Sequence, residues 1–98
     1  MYSSISIEEF ERRRTQGKLA VIDVRETLAF NRNHLPEAIS IPLGELPFVV
    51  EQLPEDVTYH VICTLGVRSV SACEFLAEQG YEVVNVEGGM NAYQGLEK

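Results

Sequence analysis

The chain reads as an α/β domain with a largely parallel sheet. Two observations predict that class. Short β-branched runs, Val57-Thr58-Tyr59-His60-Val61-Ile62 being the best of them, alternate with segments of helical periodicity. The chain also has 98 residues, 45% of them hydrophobic, which is enough for one cored domain spanning 1–98 and too little for two. There is no Trp, so the core must rest on aliphatic residues with four Phe and four Tyr.

Ser6 precedes Ile7-Glu8-Glu9-Phe10, with Glu9 at the third helical position, a capping-box pattern that predicts a helix to about Thr15, ending near Gly17. Arg12, Arg13 and Arg14 fall in its last turns, where cations complement the dipole, and read as a solvated face. Leu19-Ala20-Val21-Ile22-Asp23 is a buried strand, followed by a short helix at about Glu26–Asn31. Pro36 fixes a turn within Asn33–Ala38. Ile39-Ser40-Ile41 is a short strand ended by Pro42. Pro47 suits the first turn of a helix over about Glu45–Leu53, which Pro54 ends. The strand Val57–Ile62 leads into Cys63-Thr64-Leu65-Gly66-Val67-Arg68, and a helix follows from about Ser69 to Gln79, stopped by Gly80. Its apolar stripe holds Val70, Cys73, Leu76 and Ala77. Tyr81–Val86 is the last strand, Gly88-Gly89 breaks it, and a short helix with Met90 and Tyr93 closes the domain.

Charge narrows the function. A formal net charge of −7 argues against nucleic acid and against an acidic membrane surface as partners, since both need a basic face. It also repels small dianions at long range, so any anion site has to be built locally. No apolar stretch approaches the ~20 residues of a membrane span. The N-terminus shows no basic region followed by an apolar run. The two cysteines, Cys63 and Cys73, fall on either side of about three helical turns, roughly 15 Å apart at the helical rise. A disulfide needs Cα atoms within about 7 Å, so both read as free thiols in a reducing, cytoplasmic setting.

The chemistry is concentrated at one strand end. Sheets of this class place ligand sites at the carboxyl ends of their strands, and Cys63 sits there. A tight loop with Gly66 at its centre, entering a helix, can aim several backbone N–H groups at one point. Such a nest, with the helix dipole, favours a thiolate at Cys63 or an anionic sulfur bonded to it. Arg68 adds a permanent cation with paired donors at the rim. An arginine at that position opposes the helix dipole, a cost that makes sense if it serves a ligand.

At this point the sequence resembles the rhodanese family, along nearly the whole chain. Val21-Ile22-Asp23-Val24-Arg25-Glu26 looks like its Asp-x-Arg strand motif, and His34–Ile39 with Ile41-Pro42 resembles its next motif. Cys63 through Arg68 matches its six-residue active-site loop, and Tyr81-Glu82-Val83 with Glu87-Gly88-Gly89 resembles its closing motif. The resemblance implies a rhodanese-like three-layer domain, with a mostly parallel sheet of about five short strands and helices on both faces. It implies a sulfurtransferase in which Cys63 takes sulfur from thiosulfate or a persulfide, becomes a persulfide, and passes that sulfur to a thiol or other nucleophile. Thr64, Leu65, Gly66, Val67 and Arg68 would bind the anion, with Asp23 and Arg25 in support or joined in an ion pair that orders the strand end. No metal or organic cofactor is implied. The partners would be a small sulfur donor or a protein persulfide, and a thiol acceptor.

The departures are informative. Asn33 and Glu37 stand where the family commonly has glycine, and Tyr93 where Trp is common. Thr64 and Leu65 replace small or basic loop residues, so Arg68 is the loop's only cation and thiosulfate is expected to be a poor donor. Cys73 reads as a buried structural cysteine rather than a resolving thiol. His60 and His34 have no sequence-local partner for acid–base work, nor spacing for a metal. Two rivals remain. Certain dual-specificity phosphatases are similar in fold and also use Cys followed by Arg, but with five intervening residues where this chain has four. A non-catalytic rhodanese-like binding or regulatory module would be expected to lack the loop cysteine.

Overall fold

The computed structural model describes residues 2–96. Five strands form one sheet: β1 (Ser3–Ile5), β2 (Ala20–Asp23), β3 (Ala38–Ser40), β4 (Thr58–Ile62) and β5 (Glu82–Val86), in the order β1-β5-β4-β2-β3. Every neighbouring pair is parallel. The helices are α1 (Ile7–Gln16), α2 (Thr27–Arg32), α3 (Leu46–Val49), α4 (Arg68–Glu78) and α5 (Gly89–Leu96).

Strand alternation separates two cores. Val61 and Val83 point to one face, where they meet Leu46 of α3 and Ala72, Cys73 and Leu76 of α4. Val21, Ile62 and Val86 point to the other, against Ile7 and Phe10 of α1 and Met90 of α5. The order reverses between β2 and β4: the chain passes outward from β2 to β3, then returns to the far side of β2 and continues outward to β5. The carboxyl ends of β2 and β4 therefore flank the switch point, where sheets of this type open a crevice.

Local signals explain most of the elements. Ser6 Oγ accepts from Glu9 N–H at 3.1 Å, so the expected cap starts α1. α4 ends at Gly80, whose N–H and that of Tyr81 return to the carbonyls of Ala77 and Leu76.

Three features depart from expectation. β1 is a strand that sequence patterning did not reveal. The segment expected as one helix over Glu45–Leu53 is instead two short 3-10 turns, Leu43–Glu45 and Val50–Gln52, on either side of the single turn α3. Pro47 stands in the first turn of α3 as expected, but β-branched Val49 and Val50 follow at once and the chain closes with a tight i to i−3 bond, Leu53 N–H to Val50 C=O at 3.1 Å. Arg14 is not a solvated residue. It is largely buried, forms a two-point bond to Glu37 (2.6 and 3.0 Å), and lies 5.2 Å from the centre of the Tyr93 ring. This cluster ties α1 to the approach of β3 and to α5, and the Arg14 guanidinium holds the Glu37 carboxyl below its ordinary range. No helix of the described residues is long and apolar enough to cross a membrane.

Candidate active site

Cys63 follows β4 directly, at the carboxyl edge of the sheet. Its side chain lies on the α4 face, and Sγ sits inside the turn that enters α4. The Gly66 N–H donates to Sγ at 3.1 Å and the Ser69 N–H at 3.3 Å. The Ser69 hydroxyl oxygen lies 3.3 Å away, as acceptor of the thiol proton. Burial alone would push the thiol up. The Ser69, Gly66 and Leu65 amides, together with the Ser69 hydroxyl once it turns its proton toward the anion, outweigh it, so Cys63 lies below its ordinary value. The magnitudes are consistent: hydrogen bonds to a charged group contribute roughly 1.5–3 kcal/mol each, and several converge here.

The start of the loop is held by its carbonyls, one of which, Thr64 C=O, shares a peptide with the Leu65 N–H. Met90 N–H donates to Cys63 C=O at 2.7 Å, and Asn91 N–H to Thr64 C=O at 2.9 Å. These are amides of the first turn of α5, which otherwise lack partners within their helix. The approach is close: a Cβ on Gly89 would lie 2.2 Å from the Cys63 oxygen, and Gly89 has φ +56°. Gly66 is equally constrained, at φ +84° with Gly88 N only 2.8 Å from where its Cβ would be.

Cys63, Thr64, Leu65, Val67 and Arg68 line a cleft of about 410 Å³. Leu65 and Val67 are exposed apolar residues on its rim. Arg68 opens α4 with its side chain 60% exposed and 3.8 Å from the Glu26 carboxylate. The expected loop residues are thus assembled around one sulfur. Asp23 and Arg25 are not on that lining. Both are buried and joined at two points, with Arg25 Nη2 to Asp23 Oδ2 at 2.8 Å and a further bond to Asn33 C=O at 2.7 Å. Their geometry is that of the ordering ion pair. Asn33 has φ −164°, an extended backbone that requires no glycine, and Glu37 is engaged by Arg14.

Cys73 is fully buried in the α4-side core, where burial pushes its thiol up to about 12. Both cysteines are free. His60 is buried on the opposite face, with Nε2 3.1 Å from Arg13 Nη1, and burial holds it below its ordinary value. His34 is stacked on Phe30 and bonded to the Phe30 carbonyl, away from the cleft lining. Sequence reasoning missed Ser69, Asn85 and the α5 amides. Ser69 was next in sequence to the loop, in the first turn of the helix, where N–H groups lack partners within the helix. Asn85 carried one signal, an uncharged polar residue set between Val84 and Val86 in a valine-rich strand.

The rhodanese-like domain family model matches residues 6–96. The chain belongs to the rhodanese-like family. Its relatives include YtwF of Bacillus subtilis (strain 168), whose name assigns it provisionally to the sulfurtransferases, 43% identical over 83% of this chain and 79% of that protein. A sulfurtransferase of Allochromatium vinosum is 28% identical over 95% of this chain and 89% of its own. Among solved structures, a rhodanese-related protein from Thermoplasma volcanium superposes with a TM-score of 0.89 at 34% identity, covering 97% of this chain and 93% of that one. The parallel five-stranded sheet with helices is the rhodanese-like fold.

Proposed function

We propose that this rhodanese-like domain is a sulfurtransferase that carries sulfane sulfur as a persulfide on Cys63. One observation supports this reading above the others: convergent N–H donors on Sγ, with the Cys63 and Thr64 carbonyls bonded to α5. In the first half-reaction the Cys63 thiolate attacks the outer sulfur of the donor. The new S–S bond forms as the donor's own bond to that sulfur breaks, and the electron pair leaves with the donor as thiolate or sulfite. In the second, an acceptor thiolate attacks the outer sulfur and Cys63 leaves as thiolate. Amides that favour an anion serve both ends of this cycle. Arg68 binds the anionic part of the donor at the rim.

The rim favours an organic or protein-borne persulfide over thiosulfate. Among the described residues Arg68 is the only cation of the lining, Glu26 lies near it, and Leu65 and Val67 offer apolar contact to a donor with a carbon body. The four-residue interval between Cys63 and Arg68 argues against a phosphatase, since the smaller ring suits one sulfur better than a tetrahedral phosphate.

Incubation with a persulfide donor is expected to add ~32 Da to the intact protein, one sulfur atom. Cys63→Ser abolishes that adduct and Cys73→Ser retains it. An adduct that maps to Cys73 contradicts the reading, and turnover of thiosulfate more efficient than that of any persulfide contradicts the donor assignment.

A further inference from the structure

Asn85 is a buried amide in an otherwise apolar layer. It lies on β5, opposite Val61 of β4 and Ser4 of β1, and alternation places it on the same face as Val83, toward α4. A buried amide without a partner costs roughly 1–3 kcal/mol. Its Oδ1 has one: the Ser69 hydroxyl donates to it. Ser69 is fully buried, and its oxygen in turn accepts from Cys63 Sγ. A line of three groups thus runs from the sulfur, through Ser69, to the strand beside it.

The Ser69 hydroxyl has one proton. While Cys63 is a thiol the line is complete, with S–H donating to Oγ and O–H donating to Asn85 Oδ1. When Cys63 ionises, its proton passes to solvent and Sγ can only accept. The Ser69 proton then has two rival acceptors, the sulfur anion and the Asn85 amide. We infer that Asn85 is a positioning residue acting through Ser69: it withholds the hydroxyl proton from the sulfur anion, and so sets the pH at which Cys63 becomes reactive. The inference rests on Cys63 being the reacting thiol, and it is independent of which donor or acceptor is used.

Other charged and titratable groups lie on the elements that meet at this end of the sheet. Arg68 and Cys73 come from α4, Asp23 and its partner Arg25 from the end of β2, Glu26 from the start of α2, and Glu87 from the turn after β5 that backs Gly66. None changes when Asn85 is replaced, so their fields cancel in a comparison of variants.

The test is the pH profile of Cys63 alkylation by iodoacetamide, with the modified peptide identified by mass. It compares the parent protein, Asn85→Leu, Ser69→Ala and the double variant. Asn85→Leu is expected to lower the profile's midpoint, giving about threefold more thiolate below it, or about half a pH unit. Ser69→Ala raises the midpoint, and adding Asn85→Leu to Ser69→Ala moves it no further, because the residue through which Asn85 acts is gone. Equal shifts in both backgrounds, an upward shift or no shift in the parent would each overturn the inference. If circular dichroism shows Asn85→Leu unfolded, Asn85→Asp takes its place. Its carboxylate holds the hydroxyl proton more firmly, so the midpoint rises by more in the parent than in Ser69→Ala, and an equal rise overturns the inference. Alkylation does not require sulfur transfer. A protein that follows this pattern yet forms no persulfide would count against the proposed function alone.

Discussion

Two helices begin at the same edge of the sheet and use their first amides in opposite ways. At the start of α4, the Gly66 and Ser69 N–H groups point at Cys63 Sγ, beside an open cleft. At the start of α5, the Met90 and Asn91 N–H groups are bonded to the carbonyls of Cys63 and Thr64. The first end is open toward a ligand, while the second is consumed by structure. The difference teaches that an amide cradle has two halves. Peptide groups whose N–H groups converge on one side must place their C=O groups on the other, and something has to receive them. In this domain Asn91 of α5 receives the Thr64 carbonyl, which shares a peptide with the Leu65 N–H, and Met90 receives the Cys63 carbonyl beside it.

The largest expected effect comes from breaking the structural end. Gly89→Ala forces a Cβ into the Cys63 carbonyl at a left-handed φ, so α5 must retreat and the loop loses its anchor. We expect a loss of stability of about 1–3 kcal/mol from backbone strain of this kind, measured by urea denaturation. A fall in the rate of Cys63 alkylation near neutral pH, toward that of an ordinary thiol, should accompany it. A stable variant with unchanged reactivity would show that α5 does not shape the cradle.

A smaller effect is expected at the open end. Arg68 is exposed and its contact to Glu26 is long, so Arg68→Ala should change stability by less than about 0.5 kcal/mol. The KM for an anionic persulfide donor should rise several-fold with kcat little changed, the pattern for lost ground-state binding. A fall in kcat at constant KM would instead place Arg68 in the chemical step.

The smallest effect lies on the α5 side of the sheet, away from the sulfur. His60 is buried there as the neutral ring, and burial and Arg13 hold it below its ordinary value. The unfolded chain then binds the proton more readily, so stability is fully present above about pH 6.5 and declines as the pH falls below it. His60→Gln should flatten that decline in thermal melts without altering the alkylation of Cys63. A change in alkylation would mean that the two faces of the sheet are coupled.

How far these contrasts could be read in advance depends on sequence distance. The path from β4 through Cys63 to the first turn of α4 is continuous, so the placement of Cys63, Gly66 and Arg68 was legible from strand, glycine and helix patterns. The supports were not. Asn85 is 16 positions from Ser69, and Met90 is 27 from Cys63; both pairs meet only because β5 lies beside β4. Short elements also hid. β1 has three residues, two of them serine, too few to display alternation, and is ordered by pairing along β5. Arg14 sits in an arginine run that looks solvated until folding brings Glu37 and Tyr93 to it. Those two residues are departures from the family pattern, and Arg14 joins them in one cluster.

The most direct measurement is a crystal structure of the protein after reaction with a persulfide donor. The expected result is an outer sulfur bonded to Cys63 Sγ and within hydrogen-bond reach of the loop amides between Leu65 and Ser69, with the Cys63 and Thr64 carbonyls still bound by α5. An outer sulfur directed away from those amides, or a loop that has turned its carbonyls toward it, would contradict the cradle as the basis of the chemistry.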